Sequence, residues 1–547
     1  VTDYPDTDYA FLAQKNLAML YVLWGRQPEA NAAFEQLVAD FSEHTGISQA
    51  VWQIAKEYEQ KKKYDKALQL HRYNVDYFPT DKYAMWSQVE IVESYIRNAN
   101  DAAADAACDK LLSLFSEQES LPKEVYQVAE AYNKANRSDK AVELCRYIVE
   151  RWPSSDHALW AQRDLTIRSI DADDEFAAQA AVDKLLSDFC EHQGISQVIH
   201  AVAQHYERAK GNLEKALELH RYNVEHFSSD MYAMWSQVEI VYSHIRDGND
   251  TGADEAFGKL VTLFAEQPTL PKEIYQVGDE YAKVLNYDKA GALYQYVIAN
   301  WPDTEYEMWA KSGIVKLDIY LGNDANVKPA LDQLIADFND HPELPQAVFS
   351  IAEQFFYRRN YKRATELWEL ILSKYPGSHL KSEIPYLLAT CYKQLEDNST
   401  AIKYYKQVLQ EYPDSRYAHR AAYRIALIYR FAGEYDNALY WLEHQRELYP
   451  DSHLQARRAL MERAAVYYLN LKDYEKGAQA YQQYISEYPD HERALVAYHC
   501  MGRCYEKMGN TEQAIAVLEE ALQKFPGRRR SEEIAEDLQR LREGGEK

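Results

Sequence analysis

The feature that most constrains this chain is a motif that recurs about every 37 residues along its 547 residues. In "NSTAIKYYKQVLQEYP" the motif is centred on Ala401, which we term the anchor. Of the thirteen spacings between successive anchors, twelve are 37 or 38 residues and one is 39. A fixed period of this length predicts a stack of similar units rather than one globular core. The fourteen anchors are Ala30, Ala67, Ala104, Ala141, Ala178, Ala216, Ala253, Ala290, Val327, Ala364, Ala401, Ala438, Gly477 and Ala514.

Three further positions keep a fixed distance from the anchor. A small residue such as Ala55 often stands twelve residues before it, and a Tyr such as Tyr95 often stands nine before it. An aromatic residue stands eleven after every anchor, and a Pro follows that aromatic in eight units. Small and aromatic residues three apart share one helix face, and Pro ends a helix because it cannot donate the next backbone hydrogen bond. Each unit is therefore predicted to be a hairpin of two helices that approach closely at the small residues.

The order and offsets of these positions resemble the tetratricopeptide repeat family. Units such as "YPDSRYAHRAAYRIALIYRFAGEYDNAL" are most similar to the repeats of bacterial cell-envelope proteins. The resemblance implies an all-α right-handed superhelix, here of about 14 helical hairpins plus a C-terminal capping helix. It also implies a concave surface lined by the first helices and a role in holding other proteins. It does not imply catalysis, so we expect no enzyme activity and no cofactor.

The predicted solenoid has two parts that differ in their repeat pattern. Residues 1–340 alternate two kinds of hairpin in pairs of about 74 residues. Within them "HRYNVDYFPTDKYAMWSQVEIV" at 71–92 returns as "HRYNVEHFSSDMYAMWSQVEIV" at 220–241, which indicates duplication of a 149-residue block. Residues 341–529 are predicted to be regular hairpins that continue the first part, and residues 530–547 a capping helix with a polar tail.

The charge and hydropathy of the chain limit its partners. A net charge of −25 argues against nucleic acid, because phosphate binding needs clustered Lys and Arg. No run of about 18 apolar residues is present, so we expect no transmembrane segment. We expect protein partners, with other copies of the chain among them. Together with the family resemblance, a first residue other than Met favours a periplasmic or extracellular location after leader removal; the cytoplasm is the alternative.

The first residues raise a separate question. "VTDYPDTDYA" matches the junction between two units, so Tyr4 and Pro5 stand where a second helix ends and its anchor would precede residue 1. The first helix, roughly 7–22, then carries Phe11 and Leu12 with only one neighbouring helix to cover them. Three explanations stay open: a fragment or processed form of a longer protein, a helix that tolerates exposure, or another copy that covers it. The last makes Phe11 and Leu12 candidate residues for head-to-tail self-association into oligomers or filaments.

Patterns for catalysis and metal binding are weak. In "HCMGRC", His499, Cys500 and Cys504 have the spacing of soft-metal ligands, but a structural role within a repeat helix is favoured. "RDGNDTG" at 246–252 resembles the first half of a calcium loop, but Gly258 stands where the closing Glu is required. We therefore predict neither a metal site nor a catalytic site.

The sequence does not decide whether the chain is glycosylated. Three Asn-x-Ser/Thr sequons, at Asn136, Asn249 and Asn398, fall in predicted hairpin turns, and chance explains them as well as glycosylation does. Cys108 and Cys145 occupy equivalent places in neighbouring repeats, which puts them too far apart for a disulfide.

The candidate partner-binding surface is a set of aromatic residues on the predicted first helices, eighteen or fifteen residues before the anchor. Aromatic side chains that line a groove are rigid and bind partners strongly. The alternative is that these rings pack between successive first helices as part of the core. We call the set the aromatic ladder: Trp52, Trp86, Tyr126, Trp160, Trp235, Tyr275, Trp309, Phe349, Tyr386 and Tyr423.

Two functions follow from this sequence. The first is a scaffold that mediates protein–protein interaction by binding protein segments in its groove. The second is a structural protein that assembles head to tail through its uncovered N-terminal helix.

Overall fold

The computed structural model describes residues 7–449, 452–528 and 530–544. Within these ranges all regular secondary structure is helical, and 29 α-helices follow one another along the chain. From α1 to α28 they form fourteen antiparallel hairpins, in which the odd-numbered helices are the first helices and the even-numbered ones the second helices. The prediction of an all-α repeat of about 14 hairpins with a further C-terminal helix is therefore confirmed.

The chain divides into two compact units, Val1–Glu273 and Ile274–Lys547. The division into 1–340, 341–529 and 530–547 rests on differences in the repeat pattern of the sequence and stays a prediction. The first fourteen helices are α1 (Asp8–Leu23), α2 (Gln27–Asp40), α3 (Ile47–Gln60), α4 (Tyr64–Tyr77), α5 (Lys82–Arg97), α6 (Asp101–Leu114), α7 (Leu121–Lys134), α8 (Ser138–Arg151), α9 (Asp156–Asp171), α10 (Glu175–Asp188), α11 (Ile195–Lys210), α12 (Leu213–His226), α13 (Met231–Arg246) and α14 (Asp250–Leu263).

The remaining helices include two irregular segments. A 3-10 helix, His379–Ser382, precedes α21, and a π-helical turn, Val466–Leu471, directly follows α25. The α-helices are α15 (Leu270–Lys283), α16 (Tyr287–Asn300), α17 (Glu305–Leu321), α18 (Asp324–Asp337), α19 (Leu344–Tyr357), α20 (Tyr361–Lys374), α21 (Ile384–Gln394), α22 (Asn398–Glu411), α23 (Ala418–Phe431), α24 (Tyr435–Leu448), α25 (His453–Ala465), α26 (Tyr474–Glu487), α27 (Ala494–Lys507), α28 (Thr511–Lys524) and α29 (Ser531–Arg542).

The repeated sequence positions have the structural roles that their chemistry predicts. All fourteen anchors are buried in the second helices. The aromatic residue eleven positions later is the C-cap of every second helix, from Phe41 to Phe525. The small residue of the first helix lies where the second helix approaches most closely: a Cβ on Gly502 would come within 2.6 Å of Leu518. These contacts explain why side-chain size is restricted at the two positions.

Every hairpin turn contains one residue with a positive φ, between 52° and 83°, five positions before the anchor. Glycine occupies six of these turns, and residues such as Leu285 and Lys472 occupy the others. The left-handed conformation disfavours side chains with a Cβ, so this position was not evident from the varied residues that fill it. The residues are Gly25, Lys62, Ala99, Asn136, Asp173, Gly211, Gly248, Leu285, Gly322, Arg359, Glu396, Gly433, Lys472 and Gly509.

The alternating hairpins of the first unit share a buried glutamine. In four first helices, sixteen residues before the anchor, its side-chain nitrogen donates to the backbone carbonyl of an alanine on the following second helix. The distances lie between 2.6 and 3.2 Å. The contact fixes the second helix of every alternate hairpin and gives a physical basis for the alternation. The pairs are Gln14–Ala33, Gln88–Ala107, Gln162–Ala181 and Gln237–Ala256.

The last helix covers the final hairpin. Ile534 and Leu538 of α29 are buried in one apolar cluster with Leu518 of α28. Nε2 of His499, on α27, lies 2.9 Å from Oδ2 of Asp537, on α29. Apolar burial and this polar contact together hold α29 against the stack.

Candidate protein-interaction surface

All ten residues of the aromatic ladder lie on first helices, from α3 to α23. Nine of them are half-buried, so one part of each ring packs on the protein and another part meets solvent. The exception is Phe349, which is 4% exposed. Its ring lies 6.0 Å from that of Trp368 on the second helix α20, so it belongs to the core of its hairpin and presents no surface to a partner.

The ladder begins with an aromatic cluster on α3 and α5. The ring centroids of Trp52 and Trp86 are 5.4 Å apart, and Tyr83 packs edge-on against Trp86 at 4.9 Å. Nε1 of Trp86 donates a hydrogen bond of 3.1 Å to Oε1 of Glu124 on α7. One indole thus contacts both the preceding and the following first helix.

The next two first helices are joined by polar contacts as well as by packing. The hydroxyl of Tyr126, on α7, donates to Oδ2 of Asp164, on α9, at 2.9 Å. The guanidinium of Arg163 donates to the same hydroxyl at 3.2 Å and lies 4.8 Å from the ring centroid of Trp160. The arrangement presents an aromatic face, a cation and a carboxylate side by side.

The contacts of Trp235 repeat those of Trp86 at the 149-residue distance of the block duplication. Nε1 of Trp235 donates to Oε1 of Glu273 at 3.2 Å, and the ring of Tyr232 packs edge-on at 5.0 Å. Burial raises the pKa of Glu273 above its usual value. His200 takes the place that Trp52 occupies in the earlier block, 6.1 Å from the ring of Trp235. The ladder pattern did not include this histidine, because it stands sixteen rather than fifteen residues before its anchor, Ala216.

His200 also belongs to a buried polar cluster behind the ladder. Nδ1 of His200 and Nδ1 of His220 lie 3.2 and 3.1 Å from the same hydroxyl, Ser236 Oγ. Asn223 donates to that hydroxyl at 3.0 Å. Burial lowers the pKa of His200 to about 4 and that of His220 to about 3. Both imidazoles are therefore neutral at pH 7 and act as structural hydrogen-bonding groups.

In the second unit the first ladder residue is Tyr275. Its ring lies 5.5 Å from that of Tyr294, and its hydroxyl accepts a hydrogen bond of 3.4 Å from Nζ of Lys316 on the next first helix, α17. Burial lowers the pKa of Lys316 and raises that of Glu353 on α19. Trp309 packs as a half-buried residue against the apolar cluster of α17 to α21.

The last two ladder residues extend the same pattern. The ring of Tyr386, on α21, lies 5.5 Å from Tyr405 and 5.2 Å from Tyr417. The hydroxyl of Tyr423 donates to Oε1 of Glu462 on α25 at 3.5 Å, and burial raises its pKa to about 12. These rings, like those of the first unit, connect successive first helices and keep an exposed edge.

The two interpretations of the ladder therefore describe different parts of the same side chains. Packing between first helices is observed for Trp52, Trp86, Tyr126 and Trp235. Their exposed edges, with the neighbouring charges, form the surface available to a partner. Binding of a partner there stays a prediction.

Helix α1 differs from the expectation at Phe11. Its side chain is 4% exposed, because its ring stacks on His44 at 3.8 Å and packs against Phe41 at 5.6 Å. Loop residue His44 supplies the cover, a contact that no sequence pattern indicated. Leu12 is 43% exposed, as expected for a residue on the uncovered face. Tyr4 and Pro5 lie outside the described residues.

The segments that resemble metal sites have structural roles. The side chain of Asn249, in the calcium-like segment 246–252, caps α14 by accepting from the backbone nitrogen of Gly252 at 3.0 Å. In the described ranges no group of three or more His, Cys, Asp or Glu side chains is arranged to hold a metal ion. Burial raises the pKa of the Cys504 thiol to about 12. His499 contacts Asp537 of α29 instead of forming a ligand set with the two cysteines.

All six cysteines lie in the described part of the chain and carry free thiols. Cys108 lies on α6 and Cys145 on α8, and both are buried. The three sequons lie at hairpin turns: Asn136 has a φ of 61°, Asn249 is the N-cap of α14, and Asn398 begins α22. Among the described helices, none is long and apolar enough to cross a membrane.

Two segments match family models described as tetratricopeptide repeat, residues 386–415 and 468–533. The matched segments include parts of α21 to α22 and of α26 to α29, and they support the family resemblance. The narrower likeness to cell-envelope members stays a prediction. No curated protein matches the chain.

Three solved structures are similar to the chain at low identity. The crystal structure of MamA protein is 20% identical, with a TM-score of 0.28, and the match covers 33% of this chain and 92% of that one. The structure of Naa15/Naa10 bound to HypK-THB is 15% identical, with a TM-score of 0.30 and coverages of 91% and 78%. The APC/C hetero-tetramer Cut9-Hcn1 is 12% identical, with a TM-score of 0.26 and coverages of 97% and 96%.

Proposed function

We propose that this chain is a non-enzymatic scaffold that binds segments of partner proteins along the aromatic ladder. The observation that carries the proposal is the recurrence of half-buried aromatic side chains, at one of two positions, on nine first helices between α3 and α23. A half-buried ring is held rigidly by its packed edge, so little conformational entropy is lost when its exposed edge binds a partner. Tetratricopeptide repeats in the chain are consistent with such a role.

The chemistry beside the rings indicates what kind of segment fits. Next to Trp160 stands the guanidinium of Arg163, and next to Tyr275 stands the ammonium of Lys316. Asp164 supplies a carboxylate beside Tyr126, and Glu124 supplies one beside Trp86. A segment with apolar side chains and charges of both signs matches this surface better than a uniformly charged one.

Site-specific photo-crosslinking tests the proposal. A photoreactive amino acid placed at Trp160 or Tyr126 should crosslink discrete partner proteins when the full chain is expressed in its source cells. The same amino acid at Arg221, on second helix α12, is the matched control and should not crosslink those proteins. Equal crosslinking from both positions, or none from the ladder positions, would contradict the proposal.

Self-association through α1 is a second candidate function. Besides Leu12, helix α1 and its C-cap expose Leu17, Leu20, Leu23 and Trp24, the last at 63%. Light scattering should show assemblies that Leu12→Glu with Leu20→Glu dissolves without loss of helix content. Phe11 is unsuitable for this test, because a charge at a buried site would destabilise the helix itself. A wild-type chain that stays monomeric at high concentration rules this function out.

We further propose a cell-envelope location, on the basis of the similarity of the longer repeats to those of envelope proteins. Cell fractionation of the full-length protein in its source organism tests it, and recovery from the cytoplasm alone would reject it.

A further inference from the structure

A groove that does not involve the aromatic ladder lies between second helices α8 and α10. It has a volume of about 520 Å³ and is lined by residues of α8, α9, the α9–α10 turn and α10. Most of its lining is apolar, with Val142 and Val149 from α8, Leu165 from α9, and Ala177 and Ala181 from α10. A volume of this size falls within the range of ligand-binding clefts.

The groove is open because one of the repeated tyrosines is missing. Nine residues before the anchor, Tyr95 of α5 accepts a hydrogen bond from Arg72 on the preceding second helix, α4. At the same position Tyr132 of α7 donates to Asp105 on α6 at 2.9 Å. In α9 this position is Ser169, whose hydroxyl donates to the carbonyl of Leu165 in its own helix at 3.0 Å. The space that a phenol ring fills in those hairpins is therefore open here.

The missing tyrosine also leaves a cation without its partner. Arg146 of α8 occupies the position of Arg72, five residues after the anchor. In the described part of the chain Arg146 has neither a hydrogen bond nor an ion pair. Arg168 of α9 lines the same groove, and its guanidinium donates to Oδ1 of Asn133 at 2.6 Å.

The third cation of the groove is Lys184 of α10. The equivalent lysine of α6, Lys110, pairs with Asp76 on α4 at 3.1 Å and so bridges two second helices. Lys184 instead pairs within its own helix, with Asp188 at 2.5 Å. No such bridge closes the groove between α8 and α10 in the described residues.

Two carboxylates also line the groove. Asp174 is engaged as the N-cap of α10, where its side chain accepts from the nitrogen of Ala177 at 3.0 Å. Glu150 stands on α8 at the position of Asp76. Arg146 has no ion pair in the described residues and Arg168 donates to the neutral amide of Asn133, so these two guanidiniums favour an anionic occupant, in contrast to the net charge of −25 of the whole chain.

The duplicated block shows that this charge is not a general property of the repeat. In the second copy of the block, the residues 149 positions after the three cations are all uncharged. One of them, Leu317, is buried. The three residues are Gln295, Leu317 and Gln333. The three cations are therefore absent from the duplicated copy of the groove.

We propose that the groove between α8 and α10 binds an acidic amphipathic helix of a partner protein. The helix inserts an aromatic side chain beside Ser169 and places a carboxylate against Arg146, which restores the contacts that Tyr95 makes in hairpin 3. A helix fits because it packs between two others at about 8–10 Å from each. This site is independent of the aromatic ladder, so either can fail without the other.

The test uses a phage-displayed library of helical peptides selected against the full chain. Selected peptides should carry an aromatic residue and a net negative charge. Their affinity, measured by fluorescence anisotropy, should fall roughly tenfold or more with Ser169→Tyr, which fills the groove, and with Arg146→Glu, which reverses its charge. Arg146 is exposed, so Arg146→Glu decides the question if Ser169→Tyr loses helix content.

Two matched variants serve as controls. His244→Tyr makes the corresponding change in hairpin 7, and Arg221→Glu reverses the corresponding charge on α12. Both should leave the affinity unchanged. The proposal is overturned if the selection yields no binders, if the binders show no acidic preference, or if they bind Ser169→Tyr and Arg146→Glu as tightly as the wild type.

Discussion

At the scale of single residues, the histidine pair behind the ladder links stability to pH. His200 and His220 share Ser236 and are both neutral at pH 7. Protonation of either would place a charge beside the other in a buried site. Burial is the largest cause of the lowered pKa in each case, and Arg208 adds to the effect at His200.

We predict that acid destabilises the first unit through these two residues. In the unfolded chain a histidine has a pKa near 6.5, so below that pH the unfolded state binds more protons than the folded state. Stability should be complete above about pH 6.5 and fall as pH decreases towards 4, by about 1.4 kcal/mol per pH unit for each histidine. Thermal melts of wild type and His200→Gln/His220→Gln between pH 7 and 4.5 test this. Equal pH dependence of the two proteins would contradict it.

A second residue-scale prediction concerns Tyr294, whose ring is enclosed by two glycines. A Cβ on Gly278 would lie 2.7 Å from that ring, and a Cβ on Gly313 would lie 2.8 Å from it. Gly278→Ala should therefore destabilise the second unit by about 1–3 kcal/mol through overpacking. Gly291→Ala is the matched control, since its Cβ would meet Leu317 at an ordinary 3.6 Å. In α16 the control should be neutral or stabilising by up to about 1 kcal/mol in urea unfolding.

At the scale of the helix, the ladder residues differ in how much of their side chain supports the stack. Trp235 is hydrogen-bonded to the buried Glu273, whereas Trp160 packs with Arg163 at a more polar site. Trp368 of α20 is fully buried. Replacing each of these three tryptophans by alanine therefore shows which of them stabilises the stack and which is available for binding.

We predict a graded loss of stability from these truncations. Trp368→Ala should cost about 3–5 kcal/mol, as expected for a large aromatic side chain in a core. Trp160→Ala should cost the least, and Trp235→Ala should lie between them because it leaves the carboxylate of Glu273 without its donor. Chemical denaturation measures the order. A loss from Trp160→Ala as large as that from Trp368→Ala would assign Trp160 to the core and reject a binding role for it.

At the scale of the whole molecule, the hairpins within each unit bury their apolar faces against their neighbours in sequence. Stability in such a stack is a sum of local terms, so damage at one place spreads only through adjacent hairpins. The last described hairpin, α27–α28, relies on α29, whose Ile534 is fully buried.

Ile534→Asp should therefore detach α29 and loosen the nearest helices first. Hydrogen exchange should accelerate in α27 and α28 and stay close to wild type in α19 and α20, because only neighbouring hairpins share the lost contact. The exposed Glu533→Gln, on the same helix, is the control. Uniform acceleration along the chain would show that unfolding is cooperative over many hairpins instead.

The sequence by itself determined the fold class, the number of hairpins and the core positions of each unit. These features depend on local rules: helix periodicity, the size limit at Gly278 or Ala401, and the end of a second helix at a residue such as Tyr412. The same rule repeated fourteen times leaves little ambiguity. The helices therefore begin and end close to where the pattern places them.

Only the tertiary structure decided what happens between hairpins. Burial of Phe11 depends on His44, the role of His200 on Trp235 and Ser236, and the open groove on a single substitution at Ser169. These partners lie 16 to 36 residues apart or in other helices, and their contact depends on how one hairpin stacks on the next. Local patterns carry no information on that stacking, because helices with the same landmarks can present different side chains to a neighbour.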